Sequence, residues 1–196
     1  MTAHSKLAPE HKMTIEEFLA FTDGRPDGEK WELIEGMPIM SPSPTDVHQL
    51  IVGNIIIVLG GIALQRNASW LVMPGTGTRV PISERSLPQP DVFVKEMLPS
   101  GSPVSDEALV IFEVLSRSNR AADRAWRRRV YASVPNCRHY VTVSTKSAEV
   151  VAHDKDTGWT ERSVAGLGQS IELPALDLAL PLATIYRSTP FGQPKA

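Results

Sequence analysis

Two acidic residues stand where acids are costly, and they constrain the fold of this chain more than any other feature. Asp91 opens the apolar run Pro90-Asp91-Val92-Phe93-Val94. Glu113 sits inside Leu109-Val110-Ile111-Phe112-Glu113-Val114-Leu115. Short runs rich in β-branched and aromatic residues read as buried strands. A carboxylate in such a strand needs a cationic partner, hydrogen bonds, or a raised pKa that keeps it neutral. Two of them on neighbouring strands could share one cation. Alternation puts Ile111, Glu113 and Leu115 on one strand face. The proline ahead of Asp91 suits a strand start, where a bend aims a side chain into a cleft.

With 196 residues, 42% of them hydrophobic and 21% charged, the chain has the composition of one folded domain. A net charge of −2 gives no global attraction for nucleic acid, so any anion-binding surface must be local. The single cysteine, Cys137, excludes an internal disulfide and a multi-cysteine zinc site, and it suits a reducing cytoplasm. The polar stretch Met1–Lys12 does not read as a secretory leader. The apolar stretch Ile55–Leu64, broken by Gly60 and Gly61, is about half of the roughly 20 residues a membrane span needs. A cytoplasmic protein without a membrane partner is therefore expected.

Residues 1–12 read as a flexible tail, 13–185 as a single domain and 186–196 as a C-terminal tail. Thr14 with Glu17 predicts a capping box opening a helix that ends near Gly24. Trp31–Ile34, a turn at Glu35-Gly36 and Met37–Met40 predict a hairpin. Thr45 or Asp46 caps a long helix from about Val47 to Gln65. Strands follow at Trp70–Met73, Gly77–Pro81, Asp91–Val94 and Leu109–Leu115, with a polar loop over 96–107. A helix from about Arg120 to Ser133 leads to strands His139–Ser144 and Glu149–His153 and to a segment around Gly158-Trp159-Thr160. The alternating tail Ile171, Leu173, Leu176, Leu178, Leu180 reads as an extended edge piece. This order implies an α/β (α+β) fold with a mixed sheet flanked by helices.

Magnesium and manganese prefer oxygen ligands, often one or two carboxylates plus waters and a substrate phosphate. Asp91 and Glu113 on adjacent strands would suit such an ion. An arginine run begins four residues after Glu113: Arg117, Arg120, Arg124, Arg127, Arg128 and Arg129. Positions 120, 124, 127 and 128 fall on one helix face, where guanidinium groups can bind phosphates bidentately. A solvated basic face would show the same spacing. The four tryptophans are scattered and read as core or edge residues, not as a base-stacking platform.

Three segments together resemble a known family: Trp31-Glu32-Leu33-Ile34-Glu35-Gly36 with Ser41-Pro42 and His48; Pro90-Asp91-Val92; and Phe112-Glu113-Val114-Leu115-Ser116 with the helix that ends at Tyr131. The chain resembles the Uma-type restriction endonucleases, a branch of the PD-(D/E)xK nuclease superfamily, from about Met13 to Leu182. The resemblance implies a restriction-endonuclease-like core, here with an N-terminal helix and hairpin. It also implies a Mg2+ (or Mn2+) site with Asp91 and Glu113 as ligands. The superfamily's lysine, two residues after the second acid, is Leu115 in this chain. The position that replaces it in Uma-type sequences is Arg127, which can stabilise a phosphoryl transition state but cannot act as a base. Lys95, four residues beyond Asp91 on the same strand face, offers a partial substitute. Glu32 and His48 match recurring family positions as auxiliary residues. Glu32 could add a metal ligand or position a water, but as a strand acid it could equally face solvent. His48 could approach the site, or it could simply bond a loop carbonyl at the helix end.

Three readings follow. The leading one is an endonuclease hydrolysing DNA, with Asp91, Glu113 and Arg127 catalytic and Arg120, Arg124 and Arg128 binding nucleic acid. The second keeps the fold as a nucleic-acid-binding module with weakened chemistry. The third is a scaffold whose acids pair with Arg124 or Arg127 in a structural network. An enzyme cutting both DNA strands suits twofold symmetry, so a homodimer is the expected assembly.

Overall fold

The computed structural model describes residues 11–26, 28–75, 77–96, 101, 104–116 and 121–192. Helix α1 (Ile15–Asp23) starts at the expected capping box, with Thr14 accepting from the Glu17 N–H and Glu17 accepting from the Thr14 N–H. Strands β1 (Trp31–Ile34) and β2 (Met37–Met40) form the hairpin, with Glu35 and Gly36 at positive φ in the turn. Helix α2 (Asp46–Arg66) is capped by the Thr45 hydroxyl and stops at Asn67 in the left-handed region. Then come β3 (Trp70–Pro74), β4 (Gly77–Thr78), β5 (Val92–Glu96), β6 (Val104–Ser105) and β7 (Val110–Val114). Helix α3 (Ala121–Tyr131) leads to β8 (His139–Val143), β9 (Glu149–Asp154) and β10 (Thr160–Ala165). The chain closes with β11 (Ser170–Leu173), β12 (Leu178–Pro181) and the short α4 (Leu182–Ile185).

The main sheet runs β10-β9-β8-β7-β5-β3. Every neighbouring pair is antiparallel except β7 with β8, which α3 connects as a parallel unit. All residues of β7 and β8 are buried. That explains their near-continuous apolar sequence, which is what strands covered on both faces require. On one face, Ile51, Ile55 and Leu59 of α2 join Val92, Val94, Val110, Phe112, Val141 and Val143 in the larger core. On the other, Val130 and Tyr131 of α3 join Phe93, Ile111 and Tyr140. Asp91 and Glu113 share the α3 face by strand alternation. A third cluster, Ile15, Phe18, Leu33, Leu87 and Val104, fixes α1 and the hairpin to the rest.

Several expectations change. The strand expected over Gly77–Pro81 shrinks to β4, paired in parallel with β6 inside the expected polar loop; Pro81 has no N–H to continue a ladder. Asp91 lies just ahead of β5, its N–H donating to Phe112 O at 3.2 Å. The alternating tail is not an edge piece of the main sheet. A 3-10 turn at Pro174–Leu176 and a left-handed Asp177 fold it back into the β11–β12 hairpin, whose Ile171, Leu173 and Leu180 are fully buried in the larger core. The core also reaches past residue 185, because Tyr186 is fully buried and its hydroxyl donates to Glu149 O and to Ser144 O at 3.0 Å. Helix α2 is apolar on all sides. By length and composition it could cross a membrane, yet one face packs on the sheet, leaving Ile57 and Leu64 outside.

Gly75 holds Asp91 in place. Its N–H donates to Asp91 O at 3.1 Å, and a Cβ at this position would collide with the Pro90 carbonyl oxygen. Gly75→Ala is therefore expected to destabilise the fold by about 1–3 kcal/mol, the usual cost of overpacking. An unchanged urea midpoint would show that Pro90 can yield.

Candidate functional site

Strand pairing brings the two acids together. Val92 faces Phe112 across the β5–β7 ladder, so Asp91 and Glu113 each lie one residue beyond the same rung. The Asp91 Oδ2 also accepts from the Val114 N–H at 2.8 Å. Glu32 enters from β1. The side chains of Glu32, Asp91 and Glu113 are only 5%, 11% and 8% exposed. Like charges this close and this dry need cations.

Two sets of protein cations divide the three acids. Arg127 serves Glu32 and Glu113: its Nη2 lies 2.7 Å from Glu32 Oε2, and its Nη1 donates to Glu32 Oε1 at 3.0 Å and to Glu113 Oε1 at 2.9 Å. Tyr131, one turn later on α3, donates its hydroxyl to the same Glu113 Oε1 at 2.9 Å. Asp91 is served by Lys30, whose Nζ stands 3.1 Å from Oδ1, and by His48, whose Nε2 stands 3.3 Å from Oδ2. His48 reaches in from the first turn of α2, and its buried Nδ1 has no hydrogen-bond partner.

The titration behaviour follows. Burial pushes the Asp91 carboxyl up, but the His48 bond, the Lys30 charge and the Val114 N–H outweigh it and hold the pKa at about 2. Burial also pushes Glu113 up, and there Arg127 does not fully compensate because Asp91 and Glu32 add repulsion, so its pKa rises to about 7. Burial works against the charge on Lys30, yet Asp91, Glu32 and Glu113 together raise its pKa.

The residues expected from sequence divide into two groups. Asp91, Glu113, Arg127, Glu32 and His48 converge. Glu32 is buried instead of facing solvent, and its Oε1 is also taken by the Gln89 N–H at 2.7 Å, so it anchors Arg127 and has little left for a metal. Arg124 and Arg128 line a cavity over β8–β10. Arg120 and Arg117 lie outside the described residues. The ammonium at Asp91 comes from Lys30, not from Lys95, which is buried in β5. Lys30 carried no signal, since a lone lysine before a strand has no register. Tyr131 did carry one, the four-residue helical spacing from Arg127.

For a divalent ion the donor set fits in kind. Both hydrogen bonds to Glu113 land on Oε1, and Asp91 Oδ1 faces the ammonium of a lysine side chain that is 36% exposed. Two carboxylates suffice for magnesium when waters and phosphate complete the shell. Among the described residues there is no group of three metal-ligating side chains.

Arg127→Met should leave Glu32 and Glu113 buried and uncompensated, costing about 3–5 kcal/mol in urea unfolding. Adding Glu113→Gln should recover part of the loss, and additive losses would show that the pairing carries no energy. Asp91 has a depressed folded pKa, so its contribution is present above its unfolded value of about 4 and is lost as pH falls through about 2. The stability gap between wild type and Asp91→Asn should therefore narrow across that window, and a gap independent of pH would contradict the assignment.

Comparison with known proteins bears on the family and the fold. A family model named Uma2, described as "Putative restriction endonuclease", matches residues 15–183. A crystal structure described as that of "a putative nuclease belonging to DUF820 from Anabaena variabilis ATCC 29413" shares the fold. Its TM-score is 0.71 at 13% identity, over 88% of this chain and 97% of that one. A comparison with curated proteins finds no match. The matched segment takes in the hairpin, both strand acids and the helix bearing Arg127, and the chain belongs to the Uma2 restriction endonuclease-like family.

Proposed function

We propose that this protein is a metal-dependent endonuclease that hydrolyses DNA phosphodiester bonds at the Asp91–Glu113 pair. The observation that carries the reading is the convergence of Asp91, just ahead of β5, with the buried Glu113 of β7 beyond one rung, ringed by Lys30, His48 and Arg127. Asp91 and Glu113 would hold a magnesium or manganese ion, which when bound polarises a phosphoryl oxygen and lowers the pKa of water.

The protein's own groups have separable tasks. Arg127 and Tyr131 fix the Glu113 carboxylate, and Glu32 fixes Arg127. The Val114 N–H and His48 orient Asp91. Leu115 stands where the superfamily's lysine would be, and Lys30, just ahead of β1, brings an ammonium to the same acid pair. Its raised pKa keeps it protonated, so Lys30 stabilises developing phosphoryl charge and does not abstract a proton. Arginine likewise cannot serve as base. The arginines of α3 supply phosphate contacts, and a homodimer would present two such sites to the two strands.

One feature favours a second reading. Arg127 bridges Glu32 and Glu113 through three short contacts, an arrangement that neutralises acids without any metal. Under that reading the fold binds nucleic acid and no longer cuts it.

Metal titration separates the assignments. Magnesium or manganese should bind the wild type and bind weakly to Asp91→Ala and Glu113→Ala; unchanged affinity in both variants would sink the site. Supercoiled plasmid should be nicked only with metal, not by Glu113→Ala, and on the order of a hundredfold more slowly by Lys30→Met. Salt-sensitive DNA retention without nicking at any metal concentration would establish the second reading.

A further inference from the structure

Helix α2 carries more apolar surface than the described residues cover. Between Asp46 and Arg66 it holds no other Lys, Arg, Asp or Glu. Its Ile51, Ile55 and Leu59 are spent on the sheet. The opposite face shows Leu50, Ile57 and Leu64 at 37%, 66% and 86% exposure. Gly53 and Gly61 lie between them, and all five positions fall on one stripe, because steps of three and four residues return to the same helix face. Glycine weakens a helix interior relative to alanine. Nothing in the protomer asks for it here, since a Cβ at Gly53 or Gly61 would meet no described atom within 4 Å. Small residues on a helix face let a second helix approach closely.

The stripe is symmetric along its length. From Leu50 to Leu64 its steps are 3, 4, 4 and 3 residues, the same from either end. A second α2 laid antiparallel therefore sets Leu50 against Leu64, Gly53 against Gly61 and Ile57 against itself. A parallel copy would also match apolar with apolar, but it would bring the two Asp46 carboxylates together, because Asp46 stands on the same stripe one turn before Leu50. Antiparallel pairing instead sends each Asp46 to the end of the partner helix that bears Arg66. Arg66 Nη1 donates to Asp177 O at 2.8 Å, which leaves the guanidinium with further donors. Beside Ile57 opens a recess of about 160 Å³ bordered by Asn54, Val58, Thr184 and Arg187, so a side chain arriving opposite Ile57 has a hole to enter. A helix face about 30 Å long and about 10 Å wide presents on the order of 600 Å² of accessible surface, or about 1,200 Å² for a pair. That is the lower end of stable interfaces and suits a reversible dimer.

We propose that the exposed face of α2 is the interface of a homodimer, in which two copies of the chain pair their α2 helices antiparallel about a twofold axis at Ile57. Such an interface is self-complementary, as twofold symmetry requires. The occupant is a second copy because the stripe matches itself residue for residue and its end charges are opposite. The first turn of α2 brings His48 to Asp91, so the two acid clusters would stand at opposite ends of the pair, their His48 residues about 27 Å apart along the helix axis. The pairing does not rest on the nuclease reading.

The test is sedimentation velocity of the full chain from about 1 µM to about 200 µM, the range a weak interface requires. A concentration-dependent dimer is expected. Ile57→Glu, which sets two carboxylates face to face on the axis, should leave a folded monomer and weaken association on the order of a hundredfold. Gly53→Ala combined with Gly61→Ala should act in two opposite directions. It should raise the urea midpoint of the dilute monomer, because alanine favours the helix, and weaken the dimer on the order of tenfold, because the added methyl groups hold the backbones apart. A monomer at every concentration overturns the proposal, as does a dimer that both variants leave equally tight. A tighter dimer in Asp46→Asn would mean parallel helices and overturn the antiparallel arrangement. A monomer that binds vesicles of phosphatidylcholine and phosphatidylglycerol, and loses that binding in Ile57→Glu, would assign the face to a lipid surface instead. Metal-dependent nicking by a monomeric wild type overturns the dimer alone; a dimer that behaves as expected but nicks no plasmid leaves the interface standing and removes the nuclease reading.

Discussion

The guanidinium of Arg127 is the joint on which this structure turns. Its two terminal nitrogens reach a carboxylate from the N-terminal hairpin and another from the central strand, while its backbone belongs to the crossover helix. Three parts of the chain distant in sequence are thereby tied at one point. Without the Glu32 contact the hairpin would be held mainly by the small cluster around Leu33 and Leu87. Without the Glu113 contact a carboxylate would keep only the Tyr131 hydroxyl, with no charge partner, in a strand that is buried along its whole length. Buried ion networks of this kind contribute specificity of arrangement more surely than net stability. The specificity here is the placing of three acids around one small volume.

Charge bookkeeping around the cluster explains its division of labour. One arginine covers the Glu32–Glu113 side, and a lysine and a histidine cover Asp91. The two sides differ in how many contacts hold the cation. Arg127 is fixed by three oxygens and a tyrosine, whereas Lys30 meets one carboxylate oxygen and is partly open to solvent. A cation arriving from solution would meet its weakest competitor at Asp91 Oδ1. Leu115 brings no charge to the neighbourhood of Glu113; positive charge enters the site from Lys30, just ahead of β1, and from α3.

Sequence made much of this legible, for identifiable reasons. Asp91 and Glu113 stood out because polar atoms inside apolar strands are rare and must be answered. Arg127 followed from helical spacing and the family resemblance, and the capping box at Thr14 and the hairpin at Glu35-Gly36 are local devices that depend on few neighbours. The burial of Glu32 was not legible, because a strand acid in a four-residue hairpin looks the same whether its outer face meets water or another helix. Lys30 was hidden for the same reason: its partner lies 61 residues away. β10 went largely unread because its residues are mostly exposed and polar, so its strand character comes from pairing with β9 and not from its own pattern. The tail hairpin was misread because alternation fixes the strand but not the sheet it joins.

The span between Glu32 and Arg127 has a consequence for how the molecule comes into being. The two residues are 95 positions apart, and contacts between such distant segments form only after considerable chain entropy has been lost. The β8–β9 and β9–β10 hairpins need only short closures, and the β7–α3–β8 unit a moderate one. Loop-closure arguments thus put the charge cluster among the last features to assemble. Glu113 meets Arg127, 14 positions on, when the β7–α3–β8 unit closes, whereas Glu32 would wait for its guanidinium partner until the hairpin is seated, and a chain that failed to seat its hairpin would also fail to complete its site. Folding and the assembly of the charge cluster then share one final step.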